Sequence, residues 1–247
     1  MEAEAYRAMA AHEDDHWWFV GRRAVISALL DRIEIPADAR ILEAGCGTGG
    51  NLYVLAERGT VAAFEPHEEA RRMAVHKHPG GDVVDGELPF RIPFGAEAFD
   101  LVVALDVLEH VNEDGAGLRA LVDRVRPGGA LLVTVPAIQA LWGSHDRRLH
   151  QVRRYDKARL LRLIDDVDVE IELLTYFNTV LAPIAVGYRV LERTLRRDLG
   201  NQERVPPRLL NRLLAWSFSL ERHLVRRGTL PAGLSLGVIL RRPRPAS

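Results

Sequence analysis

The chain has 247 residues, 47% of them hydrophobic, enough for one large domain, or a domain with an insertion, around a sizeable core. Its 33 basic and 34 acidic side chains leave a net charge of −1, so no global field points to a nucleic-acid partner. The single cysteine, Cys46, excludes an intrachain disulfide and fits a reducing, cytoplasmic compartment; the acidic N-terminus lacks the order of a signal peptide, and no apolar window reaches the roughly 18 residues of a transmembrane helix.

In chain order, residues 2–15 read as an Ala-rich, polar helix. His16-Trp17-Trp18-Phe19 follows, then Gly21-Arg22-Arg23. Three consecutive aromatics do not suit one helical face. The stretch reads as a clasp holding the N-terminal arm to the domain, or as a lid in which Arg22 or Arg23 meets an anionic group. Residues 24–33 continue as an amphipathic helix that Pro36 stops.

Residues 41–50, ILEAGCGTGG, organise the rest. A short apolar strand breaks into Gly45, Gly47, Gly49 and Gly50, and residues 51–58 read as the helix that follows. A strand opening through a glycine turn into a helix cradles a nucleotide-like ligand in an α/β sheet. The glycines also satisfy the dinucleotide pattern, and Glu65 ends the next strand, 60–65, at the spacing of a ribose-binding acid. Glu43 discriminates between the two ligands. A carboxylate there would repel a pyrophosphate, whereas S-adenosylmethionine (SAM) carries a sulfonium and an ammonium. The E-x-G-x-G-x-G pattern resembles the first motif of the class I SAM-dependent methyltransferases, with a nicotinamide oxidoreductase as the rival. The resemblance implies cofactor contacts along Glu43, Ala44, Gly45, Cys46, Gly47 and Gly49, and ribose hydroxyls on Glu65, with Pro66 beside it.

Residues 67–78 read as a helix whose histidines make no metal pattern. Residues 82–85 are a short third strand leading into G-E-L-P-F. The resemblance puts an acid after this strand on the adenine amino group; Asp85 and Glu87, flanking Gly86, both qualify. Residues 99–105, FDLVVAL, read as a central parallel strand buried on both faces. They end at Leu105 and Asp106, in D-V-L-E-H-V. This is similar to the post-strand signature of small-molecule methyltransferases, such as those of ubiquinone biosynthesis, and puts Asp106 by the cofactor's methionine end. His110 orders the loop or serves as a base. Residues 117–125 read as a helix, 126–129 as a turn and 130–135 as a fifth strand. Alternating strands and helices argue for a doubly wound parallel sheet.

Residues 136–155 are too polar and irregular for core, and gather Trp142, His145, Asp146, His150, Arg153, Arg154 and Tyr155 at the edge where substrate sits. Together with the N-terminal H-W-W-F, this segment resembles a subgroup of bacterial methyltransferases. Two readings stand: direct substrate contact, or ion pairs that pin a long loop. A helix over 156–164, a sixth strand over 168–174 and a last strand over 234–241 follow; the resemblance makes the last strand antiparallel.

The expected fold is therefore an α/β, doubly wound, seven-stranded, mostly parallel sheet. It is divided into an N-terminal helical arm (1–39), a SAM-binding core (40–174), a helical insertion (175–231), and a last strand with its tail (232–247). The insertion alternates apolar and basic residues, and reads as a helical pair that caps the pocket or forms a homodimer face, or as a surface for a membrane or lipid-linked substrate. The expected activity is methyl transfer to a small molecule or lipid-linked metabolite. A hydroxyl acceptor calls for a general base: His145 first, His150 second, His16 third, with Tyr155 positioning the acceptor. A SAM-binding fold with a non-methylating role, as a cyclase or partner subunit, keeps the same cofactor residues.

Overall fold

The most apolar run sits at the middle of the molecule. In the computed structural model, which describes residues 3–79, 81–96, 99–195 and 205–244, Phe99–Leu105 is a strand (β4) buried at every position. Its side chains alternate between two cores. Leu101, Val103 and Leu105 join one, and Val102 and Ala104 the other, as a strand covered on both faces requires. β1 (Arg40–Ala44) flanks it and divides likewise, Ile41 to one core and Leu42 to the other.

The remaining strands are β2 (Thr60–Phe64), β3 (Asp82–Val84), β5 (Val125–Pro136), β6 (Glu170–Phe177) and β7 (Ser235–Arg241). They complete a seven-stranded sheet in the order β3-β2-β1-β4-β5-β7-β6. The pairs from β3 to β5 are parallel. The last strand in sequence, β7, runs antiparallel between β5 and β6. The order reverses at β1 and β4, so the crevice outside their carboxyl ends is where a ligand binds in such a sheet.

Helices cover both faces. α1 (Ala3–His12) and α2 (Trp17–Leu30) form the arm, and α3 (Leu52–Ala56), α4 (Glu68–Lys77), α5 (Asp114–Val122), α6 (Ser144–Arg148) and α7 (Lys157–Asp165) connect the strands. Within residues 175–231 lie α8 (Ala182–Leu195), α9 (Arg208–Ser219) and α10 (Glu221–Arg227). Several boundaries differ from expectation. The aromatic cluster is not a break between helices but the first turn of α2, because the His16 Nδ1 accepts the Trp18 N–H at 3.2 Å and caps the helix. The expected turn at 126–129 lies inside β5, where Gly128 at φ 80° absorbs a register shift against β4. β6 runs to Phe177, past the expected edge of the core at 174.

α2 and α9 pack closely at Gly21. A Cβ there would stand 2.5 Å from Cδ1 of the buried Phe218 ring. Gly21→Ala is expected to overpack this contact and cost about 1–3 kcal/mol of stability. A thermal or denaturant melt of the variant checks it; an unchanged midpoint would show that the helices part freely.

Candidate active site

At the end of β1 the chain turns through Gly45 and Gly47, at φ 66° and 56°, a region where only glycine is at ease. The Cys46 N–H donates to the Phe64 carbonyl at 3.1 Å and ties the loop to the tip of β2. The Gly47 N–H donates to Glu65 Oε2 at 2.9 Å. A Cβ on Gly47 would meet nothing within 4 Å, so this backbone borders open space. Farther round, Gly49 sits against α4: a Cβ would stand 2.9 Å from the Ala74 Cα. Gly49 therefore packs helix on strand rather than lining the crevice.

The crevice is a cavity of about 1350 Å³. Single-ligand pockets run to roughly 1,000 Å³, so a cofactor and an acceptor fit together. Gly45, Cys46, Gly47, Glu65 and Pro66 line one end, with Leu105, Asp106 and His110 across from them. Glu65 is 3% exposed. Its Oε1 accepts the Tyr6 hydroxyl at 3.2 Å and the His67 N–H at 3.1 Å. Of the two adenine-side acids, Glu87 lines the wall. Asp85 points to solvent and pairs with Arg71 and Arg91, and Gly86 packs between Pro93 and Phe64.

Two of the motif residues stand behind the wall. Ala44 is buried in the core. Glu43 is 2% exposed and accepts from Asn51 Nδ2 at 3.2 Å. Burial pushes its carboxyl up to about 7. Glu43 thus supports the loop from beneath through Asn51, while its buried Oε2 meets no hydrogen-bond partner among the described residues. Burial, with the charges of Glu43 and Glu65, also pushes the Cys46 thiol well up, which leaves it a packing residue.

Asp106, at φ 59°, follows β4 directly. Its Oδ1 accepts the Thr134 hydroxyl at 3.1 Å, and its Oδ2 lies 2.7 Å from Arg22 Nη2. The Arg22 guanidinium lies 5.3 Å from the centre of the Trp18 ring. Arg23 donates to the Glu13 carbonyl at 2.6 Å. Arg22 keeps a buried Nε without a hydrogen-bond partner among the described residues, and the H-W-W-F segment is a wall of the cavity, tied through Arg22 to Asp106 after β4.

Three features had no signal strong enough to single out. Glu13, buried in the arm, holds both the Thr48 hydroxyl, at 2.8 and 2.9 Å from its oxygens, and Lys77. It thereby fastens the arm over the glycine loop. Glu109 lines the cavity beside Asp106, fully buried, and neither carboxyl oxygen meets a hydrogen-bond partner among the described residues. Burial, and then the charge of Asp106, raises its carboxyl well above the usual range. Its place next to His110 in D-V-L-E-H-V was the available clue. Third, Leu181, Ile184, Leu210 and Leu214 line the cavity together with Trp17 and Trp18 and give it an apolar portion.

The 136–155 loop divides sharply. Asp146 is 0% exposed; its Oδ1 lies 2.7 Å from Arg154 Nε and its Oδ2 accepts the Gly143 N–H at 2.8 Å. Arg153 pairs with Asp114 at 2.8 Å and donates to the Val111 carbonyl at 2.9 Å. Tyr155, expected to position the acceptor, is instead fully buried, with its hydroxyl 3.0 Å from Asp114 Oδ2. These residues pin the loop to the turn after β4. His150, at φ 57°, does line the cavity, as do Leu141, Leu149 and Arg154. His16 also lines it, with Nδ1 committed to the helix cap. His145 lies in α6, and its side chain is outside the described residues. His110 is half-buried, and burial lowers its pKa from the ordinary 6.5.

The cavity's acids, its open glycine backbone and the orphaned Glu109 carboxyl suit a ligand bearing positive charge and a ribose, as SAM does. A family model described as a methyltransferase domain matches residues 18–242. The chain is 26% identical over 202 residues to a probable SAM-dependent methyltransferase of Mycolicibacterium smegmatis, covering 79% of this chain and 77% of that protein. It is 28% identical over 172 residues to a ubiquinone biosynthesis O-methyltransferase of Thiobacillus denitrificans, covering 62% and 73%. Its fold is similar to that of geranyl diphosphate C-methyltransferase from Streptomyces coelicolor, solved with S-adenosylhomocysteine, with a TM-score of 0.56 at 13% identity over 87% and 73% of the two chains. The nicotinamide reading is set aside: the chain belongs to the methyltransferase-domain family, as a class I enzyme whose cofactor is S-adenosylmethionine.

Proposed function

We propose that this enzyme methylates a hydroxyl of a small molecule or lipid-linked metabolite with an apolar body. The observation that carries the reading is the mixed lining of the cavity: acids and glycine backbone together with Trp17, Trp18, Leu181, Ile184 and Leu214. SAM supplies an electrophilic methyl group on a sulfonium, so transfer is an in-line displacement that needs alignment and exclusion of water. In this reading Glu65 holds the ribose hydroxyls and Glu87 the adenine edge. Asp106 faces the methionine end, fixed in place by Arg22 and Thr134. The aromatic first turn of α2 and the α8–α9 cap shield the acceptor.

The proton of the acceptor hydroxyl goes to His150. His110, whose lowered pKa keeps its imidazole neutral at neutral pH, stands beside it in the same wall. The test follows S-adenosylhomocysteine release with a panel of phenolic and long-chain hydroxylated acceptors. For an acceptor that turns over, His150→Ala is expected to lower kcat by about 10²–10⁴-fold. Affinity for S-adenosylhomocysteine should hold. Undiminished turnover in this variant would remove His150 from the role. Efficient transfer to carboxylates or activated carbon, with hydroxyls inert, would overturn the O-methylation reading.

A further inference from the structure

α9 and α10 carry a feature that methyl transfer does not use. Leu209, Leu213, Trp216, Leu220 and Leu224 recur every three or four residues and are between 40% and 83% exposed. Leu220 keeps helical dihedrals, φ −62° and ψ −29°, so the row passes from one helix to the next. The opposite face is fixed. Phe218 and Val225 are buried in the core. Asn211 accepts the Trp17 N–H at 2.9 Å and donates to the Asp15 carbonyl at 2.7 Å. The exposed row therefore has no freedom to turn inward.

Charge says what covers it. Arg208, Arg212, Arg222 and Arg227 are exposed along the same pair of helices, and Arg226 is held by Asp31. The single acid of the pair, Glu221, is fully buried, with one carboxylate oxygen accepting the Thr179 and Val180 N–H groups at 2.7 and 2.8 Å. An apolar row rimmed by arginine, with a tryptophan in it, has the composition of a helix lying in a bilayer interface. A second copy of the chain on this face would bring arginine against arginine with no exposed acid of these helices to meet them. None of the described helices is long and apolar enough to cross a membrane. We propose that the outer face of α9 and α10 docks on the surface of an anionic phospholipid bilayer.

The placement suits delivery. Leu210 and Leu214 of α9 and the exposed Ile184 of α8 line the cavity, so the helix that carries the docking face is also part of the cavity wall. Docking does not depend on the identity of the acceptor, and the cofactor site can be tested apart from it.

The experiment is flotation of the full chain with phosphatidylcholine vesicles, with and without phosphatidylglycerol. Binding is expected to the anionic vesicles, to weaken with salt, and to be slight on phosphatidylcholine alone. Leu213→Glu/Trp216→Glu and Arg208→Glu/Arg212→Glu should each lower the partition constant at least about tenfold. Calorimetry with S-adenosylhomocysteine should read the same affinity in both, which shows that they fold. Three results would overturn the proposal: no binding to anionic vesicles, variants that bind as the parent does, or light scattering of a dimer that Leu213→Glu/Trp216→Glu dissociates. The last would make this face a homodimer interface. Loss of S-adenosylhomocysteine binding in the parent chain would count against the cofactor site alone.

Discussion

Glu65→Ala is expected to raise the Kd for S-adenosylhomocysteine by about 100-fold or more. Glu65 meets both the glycine loop and the arm: the Gly47 N–H on Oε2 at 2.9 Å, and the Tyr6 hydroxyl on Oε1 at 3.2 Å. In the proposed role it also accepts the two ribose hydroxyls. A hydrogen bond to a charged group contributes about 1.5–3 kcal/mol, and each 1.4 kcal/mol is about tenfold in Kd, so two of them give the stated magnitude. The loss of order in the loop adds to it. Glu65→Gln keeps an acceptor for Gly47 and should fall between parent and alanine variant. Asp85→Ala should leave Kd as it is, because Asp85 faces solvent with Arg71 and Arg91, while Glu87→Ala should weaken binding. Calorimetry on the four variants decides the assignment; an unchanged Kd for Glu65→Ala would remove the ribose role.

The fold was legible because the strand signals in this chain are strong and local. Phe99–Leu105 forms a strand with the expected bounds, and the glycine loop sits at the switch point where its pattern required it. Residues that act at a distance left weaker marks. Glu13 belongs to an acidic, Ala-rich arm with no periodic pattern, and only the folded chain shows that it spans the arm, Thr48 and Lys77. Glu43 looked like a ligand contact from its spacing to Gly45; β1 is covered on both faces, and only the folded chain shows Asn51 Nδ2 on its carboxylate. The aromatic run at 17–19 was misjudged for the opposite reason. Three consecutive aromatics do not suit one helical face, yet packing of Trp17 against Phe218 and the His16 cap make them the first turn of α2.

The loop at 136–155, with W-x-x-H-D followed by H-x-x-R-R-Y, offers the sharpest contrast between its two readings, because each moves a different measurement. If Asp146 and Arg154 pin the loop, Asp146→Ala destabilises the fold. The carboxylate is wholly buried and Arg154 nearly so, at 0% and 11% side-chain exposure, 2.7 Å apart. Removing one partner leaves the other charge mostly buried and without its counter-ion, which costs about 3–5 kcal/mol. For a chain of this size each kcal/mol lowers Tm by about 2–4 °C, so a fall of roughly 6–20 °C is expected. Arg154→Met alone should cost less, since the Asp146 carboxylate keeps the Gly143 N–H at 2.8 Å. The double variant should recover much of the loss, because no unpaired charge remains. Direct substrate contact predicts the reverse: Tm unmoved by Asp146→Ala, and the KM for the acceptor raised. The geometry favours the first, and it also gives the loop its part in catalysis. With Asp146 tied to Arg154, Arg153 to Asp114 and Val152 to the Glu109 carbonyl, His150 is held in the cavity wall at a left-handed φ of 57°. Loosening the clamp should therefore lower kcat at temperatures well below the shifted Tm, while affinity for S-adenosylhomocysteine, whose proposed contacts are Glu65 and the glycine loop, stays as in the parent.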